Sequence, residues 1–141
     1  PTIKKYVDNM AEYSKKKIEF IAIGQKKRLI QEYEVSLFRL IQESIQNAIN
    51  HAEATSIKVK LEISDNYVTT IISDNGKGFD PNVIRDKQFG LIGMRERVEM
   101  LNGEFKIMTK IGEGTRIYAK VPCPKHTIKD NSRKILSNSN K

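Results

Sequence analysis

One cysteine, Cys123, stands among 141 residues, which excludes a disulfide within the chain and a zinc site built from cysteines. No apolar run approaches the roughly 20 residues that a membrane span needs. The N-terminus is amphipathic and lysine-rich instead of carrying the apolar core of a secretory signal. No G-x-x-x-x-G-K-[ST] occurs, so Walker-type phosphate binding is out. There is also no aromatic cluster of the kind that stacks bases. What is left is the profile of one globular domain, 38% hydrophobic and 30% charged, expected in a reducing cytosol without membrane contact.

The net charge of +8 suggests an anionic partner until it is located. Residues 1–31 carry eight basic and three acidic side chains, and residues 122–141 carry five and one. The stretch 32–121 holds 12 and 13, a net of −1, so the excess sits at the two ends and the body is nearly neutral. A basic nucleic-acid-binding module, one alternative reading, would put a positive stripe on folded elements.

Thr2 can cap a helix running to about Tyr13, with Ile3, Val7, Met10 and Ala11 on one face. Pro1 leads into it abruptly, so the chain is expected to be cut from something longer. Lys17 to Ile23 reads as a strand stopped by Gly24, and Gln25 to Gln31 as a basic connection. From about Tyr33 to Ala52 comes the strongest helical signal. Phe38, Ile41, Ile45, Ala48 and Ala52 fall within roughly 80° of one another at 100° per residue. Glu43, Asn47 and Asn50 cluster within roughly 60° on the opposite side, with His51 at the margin. That polar face is short of the charges expected of a solvated one. His51 reads as a packing or hydrogen-bonding residue, not a nucleophile.

Ile57 to Ile63 and Tyr67 to Ser73 predict a hairpin turning at Ser64-Asp65-Asn66, with Ile57, Val59, Leu61 and Ile63 on one side. The second strand delivers Asp74-Asn75-Gly76-Lys77-Gly78-Phe79-Asp80, an acidic residue followed by two spaced glycines that tolerate close approach. Pro81 to Phe89 predicts a mobile loop. Gly90-Leu-Ile-Gly-Met-Arg-Glu-Arg then enters a helix that stops near Asn102-Gly103 in left-handed geometry. Arg97 on that helix is read as solvated. A last hairpin, Glu104 to Thr109 and Thr115 to Val121, turns around residues 110–114. The segment 123–141 is basic and without periodicity, a disordered tail.

Four motifs in this order resemble the ATP-binding catalytic domain of two-component sensor histidine kinases, in the branch of the nitrate and degradative-enzyme sensors. They are Glu43 and Asn47 one helical turn apart, Asp74-x-Gly76-x-Gly78, Gly90-Leu91-x-Gly93, and Gly112-x-Gly114-Thr115. The resemblance covers residues 1–122, with an ATP lid over about 76–92. It implies an α+β fold shared with gyrase B, Hsp90 and MutL: a two-layer sandwich, a mixed and mostly antiparallel sheet of about five strands, and three helices on one face.

The same resemblance implies ATP and Mg²⁺ as cofactors and assigns roles. Asp74 would accept a hydrogen bond from the adenine amino group, and Gly76 and Gly78 would lay main chain against the purine. Asn47 would ligate Mg²⁺, and Glu43 would bind or polarise water around it. Gly90, Leu91, Gly93 and Met94 would close over the phosphates, while Gly114 and Thr115 would complete adenine recognition. Many relatives carry a lysine where this chain has Asn50, which shifts phosphate binding toward the lid backbone or Lys77. The phosphate-accepting histidine of such kinases lies upstream of this domain, and neither His51 nor His126 has its acidic follower. The implied partners are therefore a dimerisation domain bearing that histidine and a response regulator, and the chain alone should not autophosphorylate. An anti-sigma-factor serine kinase of the same fold is the other alternative.

Overall fold

The structure is a computed structural model that describes residues 2–25, 29, 31–80 and 90–123. The expected 81–89 loop and the tail beyond Cys123 lie outside these, as does part of the 76–92 lid. Among the described residues three helices and five strands follow in the order α1 (Thr2–Ser14), β1 (Lys17–Gly24), α2 (Gln31–Asn50), β2 (Ser56–Ile63), β3 (Tyr67–Asp74), α3 (Leu91–Met100), β4 (Glu104–Lys110) and β5 (Gly114–Pro122). The sheet order is β1-β2-β3-β5-β4, with only the β1–β2 pair parallel. This is the mixed, mostly antiparallel architecture that the sequence predicts.

Register explains the layering. Side chains opposite each other in a sheet share a face. One rung reads Phe20, Val59, Ile72, Ile117, Ile107, and the next Ala22, Leu61, Thr70, Ala119, Phe105. These apolar rungs face the helices: α1 packs over β1, α2 over β2 and β3, and α3 over β4 and β5. The other face carries Lys58, Lys60, Glu62, Arg116 and Lys120, as alternation requires for a sheet covered on one side.

The buried stripe of α2 is Leu37, Leu40, Ile41, Ser44, Ile45 and Ala48. It spans roughly 140° at 100° per residue, wider than expected and turned toward the polar side. Leu40 and Ser44 join it, while Phe38 is only half-buried and tilts against Tyr6 of α1 at 5.5 Å between ring centroids. The helix also ends before Ala52. Glu53 turns left-handed (φ 54°) and the Ala54 amide reaches back to the Ala48 carbonyl at 3.1 Å. The left-handed position is held by a glutamate and not by Gly or Asn, so local sequence does not announce it. The end of α3 is legible by contrast. Asn102 adopts φ 59°, its amide bonds the Glu99 carbonyl and the Gly103 amide bonds that of Val98, both at 2.9 Å, which is a Schellman motif. Cys123 is fully buried and its amide bonds the Asn66 carbonyl at 2.6 Å, which ties it to the β2–β3 turn. No described helix is long and apolar enough to cross a membrane.

Thr70 sits fully buried at the centre of this core, and among the described residues its hydroxyl has no hydrogen-bond partner. A buried hydroxyl without a partner opposes folding, whereas valine keeps the branched shape β3 favours. Thr70→Val should stabilise the protein by about 1 kcal/mol. Urea denaturation measures it, and a loss of stability would contradict the assignment.

Candidate functional site

The last rung of the sheet breaks the apolar pattern. It reads Ile18, Ile57, Asp74, Thr115, Thr109 across β1, β2, β3, β5 and β4. An acidic residue thus stands on the helix-facing side, at the edge of an aliphatic floor. Burial pushes the Asp74 carboxyl above the usual carboxylate range, opposed by hydrogen bonds from the backbone amides of Gly76 and Thr115. The Gly76 amide donates to Oδ1 at 2.8 Å.

The backbone that follows is held from three sides. Asn75 Oδ1 accepts the Thr55 and Ser56 amides, both at 2.9 Å, and its Nδ2 donates to Thr55 Oγ1 at 2.9 Å, tying the turn to the start of β2. The Lys77 amide bonds the Ala52 carbonyl at 2.8 Å behind α2, and the Lys77 carbonyl accepts the Gly112 amide at 2.7 Å from the β4–β5 turn. The Phe79 amide donates to Thr109 Oγ1 at 3.1 Å, and that hydroxyl also lies 2.9 Å from Thr115 Oγ1. Gly76 is required by proximity: a Cβ there would collide with Ala52. Gly78 combines φ 64° with a Cβ position that overlaps the Lys110 carbonyl.

Above this floor opens a cavity of about 240 Å³. Asp74, Thr115 and Ile117 line it from the sheet, Ser44, Asn47, Ala48 and His51 from the α2 side, and Ala52, Lys77, Gly78, Phe79 and Leu91 complete its wall. Of the residues expected at the site, Asn47, Asp74, Lys77, Gly78, Leu91 and Thr115 therefore meet around one space. The others stand behind or beside it. Gly76 and Gly114 back Asp74, and Met94 is fully buried in the core. Asn50 is exposed at the last turn of α2. A methyl group added at Gly93 would meet no described atom within 4 Å.

Glu43 is also off the cavity wall. Its Oε1 lies 2.7 Å from Arg97 Nη1, off the hydrogen-bond direction, so the contact is an ion pair set by charge. The expectation that Arg97 is solvated is thereby corrected: a carboxylate on the neighbouring helix recruits it.

Sequence reading missed Ser44, Ala48, His51, Ala52, Phe79 and Ile117 as wall residues. The signal for two of them was present, since Ser44 and His51 flank Asn47 at three and four residues, the spacing of one helical face. Among the described residues no three His, Cys, Asp or Glu side chains stand together as a metal group. Mg²⁺ bound with a polyphosphate does not need one, because it takes one or two protein oxygens and keeps water and phosphate for the rest. The Asn47 amide oxygen is a donor of that kind. A larger cavity of about 390 Å³ lies between α1, β1 and α2, with walls apolar apart from Lys4, Gln25 and Glu34. It lacks the converging polar groups of the first.

Residues 32–125 match the family described as histidine kinase-, DNA gyrase B-, and HSP90-like ATPase. The signal transduction histidine-protein kinase/phosphatase DegS of Bacillus subtilis is 48% identical over 128 residues, covering 86% of this chain and 33% of the relative. Sensor protein VraS of Staphylococcus aureus is 38% identical over 94 residues, covering 67% of this chain and 27% of the relative. The chain thus spans about a third of the length of these curated relatives. Among solved structures, the catalytic domain of histidine kinase ThkA superposes with a TM-score of 0.68 at 14% identity, over 88% of this chain and 89% of that one. The histidine kinase domain of an Erythrobacter litoralis blue-light activated kinase gives 0.67 at 19% identity, over 86% and 59%. Identities this low speak for the fold alone.

Proposed function

The chain belongs to the histidine kinase-, DNA gyrase B- and HSP90-like ATPase family, and from that premise we propose that it is the catalytic domain of a DegS-like sensor kinase, binding ATP in the cavity above Asp74. One observation carries the reading. A partly buried carboxylate, aimed by two backbone amides, stands beside an apolar floor under a cavity of about 240 Å³. The adenine amino group donates to such a carboxylate. Guanine presents a carbonyl at the same position, so the site rejects it by leaving a buried polar group unpaired.

The remaining residues fall into roles around that contact. Gly78 and the backbone behind Gly76 leave room for the purine, and Gly114 keeps β5 close to Asp74. Thr115 offers its hydroxyl to the base, in the orientation that its bond to Thr109 sets. Asn47 would supply an oxygen to Mg²⁺ and Glu43 would hold one of its waters, and the metal when bound would neutralise phosphate charge. The first turn of α3, with Gly90, Leu91, Gly93 and Met94, turns unbonded amides toward the phosphates. Lys77 supplies the cation that Asn50 does not, Asn50 contributing at most a hydrogen bond from the rim.

Phosphoryl transfer asks a protein mainly for positioning and charge. The acceptor in this reading is a histidine on a dimerisation domain, and the phosphoryl then passes to an aspartate of a response regulator. ATP supply implies a cytosolic location. Identity to DegS along most of the sequence favours this over a serine kinase of the same fold, and a net positive excess that sits at the two ends disfavours a nucleic-acid module.

The protein should be mixed with a histidine-bearing dimerisation fragment, labelled ATP and Mg²⁺. Acid-labile label should appear on the fragment and none on the protein alone. Acid-stable label on serine or threonine, or no label on the fragment, would overturn the proposal.

A further inference from the structure

Two arginines project from α3, and they are used differently. Arg95 stacks over the Phe105 ring at 5.1 Å and donates to the Phe105 carbonyl at 3.4 Å, which fastens α3 to β4. Arg97, near the other end of the helix from Gly90, reaches across to α2 and meets Glu43 at 2.7 Å. The two oxygens of that carboxylate face different parts of α3. Oε1 faces the guanidinium, and Oε2 faces Gly90, where an added Cβ would stand 3.1 Å away. Gly90 adopts φ 66° and opens the helix. Glu43 is thus bracketed by the start and the last turn of a single helix, one turn before Asn47 on its own.

An isolated pair with both side chains about a third exposed adds little to stability. Its effect is on geometry. A glutamate has three rotatable bonds, and unpaired it would sample several directions around α2. A guanidinium is planar and rigid, so fewer orientations are lost when it holds a carboxylate than with a lysine.

Resting on the reading of the cavity as the ATP site, we infer that Arg97 is a positioning residue. It holds the Glu43 carboxylate at one place beside the first turn of α3, and so aims it at the phosphate end of the cavity without touching nucleotide itself. The helix that follows residues 81–89 thereby sets the direction of an acidic group on α2.

Arg97→Ala, Arg97→Lys, Glu43→Gln and the double variant should be made in the parent kinase. Arg97→Ala should lower kcat for phosphoryl transfer about tenfold, the size expected of a displaced group, with KM for ATP changed less than about twofold. Arg97→Lys should recover most of it. In the Glu43→Gln background Arg97→Ala should cost nothing further. The ATP-free protein gives a second readout, since the Arg97 side-chain Nε–H resonance should shift on Glu43→Gln and the Arg95 resonance should not.

A loss that persists in the Glu43→Gln background, or that appears as a rise in KM, would mean that Arg97 contacts phosphate directly and would overturn the inference. Full activity of Arg97→Ala would overturn it as well. Failure of the wild type to bind ATP would remove the underlying reading instead, and calorimetry on the wild type separates the two.

Discussion

Asp74→Asn should weaken ATP binding by at least about 100-fold while changing the stability of the ATP-free fold by no more than about 1 kcal/mol. The two halves of this expectation come from one environment. Burial lifts the Asp74 carboxyl above its usual range. A group whose folded pKa lies above its unfolded value gives its full contribution to stability below the unfolded pKa, and loses it as pH rises through the folded pKa. The ionised form of Asp74 therefore opposes folding relative to its protonated form. Asparagine removes that charge and keeps one oxygen for the Gly76 amide, but it loses the second acceptor near the Thr115 amide. These effects have opposite sign.

Binding has no such compensation, because the new amide turns a donor toward the adenine amino group. Thermal melts between pH 4 and 7 should show the matching signature. The variant should lack the part of the wild-type stability loss that accompanies Asp74 ionisation on raising the pH. For the wild type, ATP affinity should fall as the pH is lowered and Asp74 takes up its proton.

Gly114→Ala should destabilise the domain by at least about 3 kcal/mol, against about 1 kcal/mol for Gly112→Ala two residues earlier. Both glycines adopt φ 82°, a left-handed backbone that strains a side chain at either position. The surroundings differ. A Cβ at Gly112 meets nothing described within 4 Å, whereas one at Gly114 collides with the carbonyl oxygen of Asp74. Relief requires β5 to move off β3 at the rung that holds Asp74 and Thr115. The difference between the variants therefore isolates the steric part, and urea denaturation of both measures it. Gly114→Ala should also lose nucleotide affinity, while Gly112→Ala should keep it. Equal losses for the two would contradict the account.

How far the sequence foretold this follows from the range of each interaction. Strand β3 ending in Asp74 and the paired strands around it were readable, because alternation is local and a sheet turns it directly into faces. The sides of α2 were readable only roughly. Periodicity located Asn47 on a polar face, yet Leu40 and Ser44 are buried because the third helix and the sheet cover α2 over a wider arc than its apolar residues suggest. That wider cover brings Asn47 and His51 to the cavity margin and leaves Asn50 in solvent.

Contacts between distant elements left no local trace. Nothing near Arg97 announces Glu43, and nothing near Asn75 announces its three side-chain hydrogen bonds to Thr55 and Ser56. Thr109 looked like an ordinary strand residue, although its hydroxyl joins Phe79 to Thr115. The glycines carried the opposite lesson. Gly76 and Gly78 were conspicuous as a ligand-contacting pair, and the structure gives each a second reason to lack a side chain, in Ala52 and the Lys110 carbonyl.

The central claim is that Asp74 makes this cavity an adenine site. Calorimetric titration of ATP with Mg²⁺ into the wild-type protein, set beside GTP and beside Asp74→Asn, tests it most directly. The account predicts saturable binding of ATP, at least about 100-fold weaker binding of GTP, and a similar loss for ATP on the variant. Binding of ATP by Asp74→Asn as tight as by the wild type, or no binding to the wild type at millimolar ATP, would contradict it.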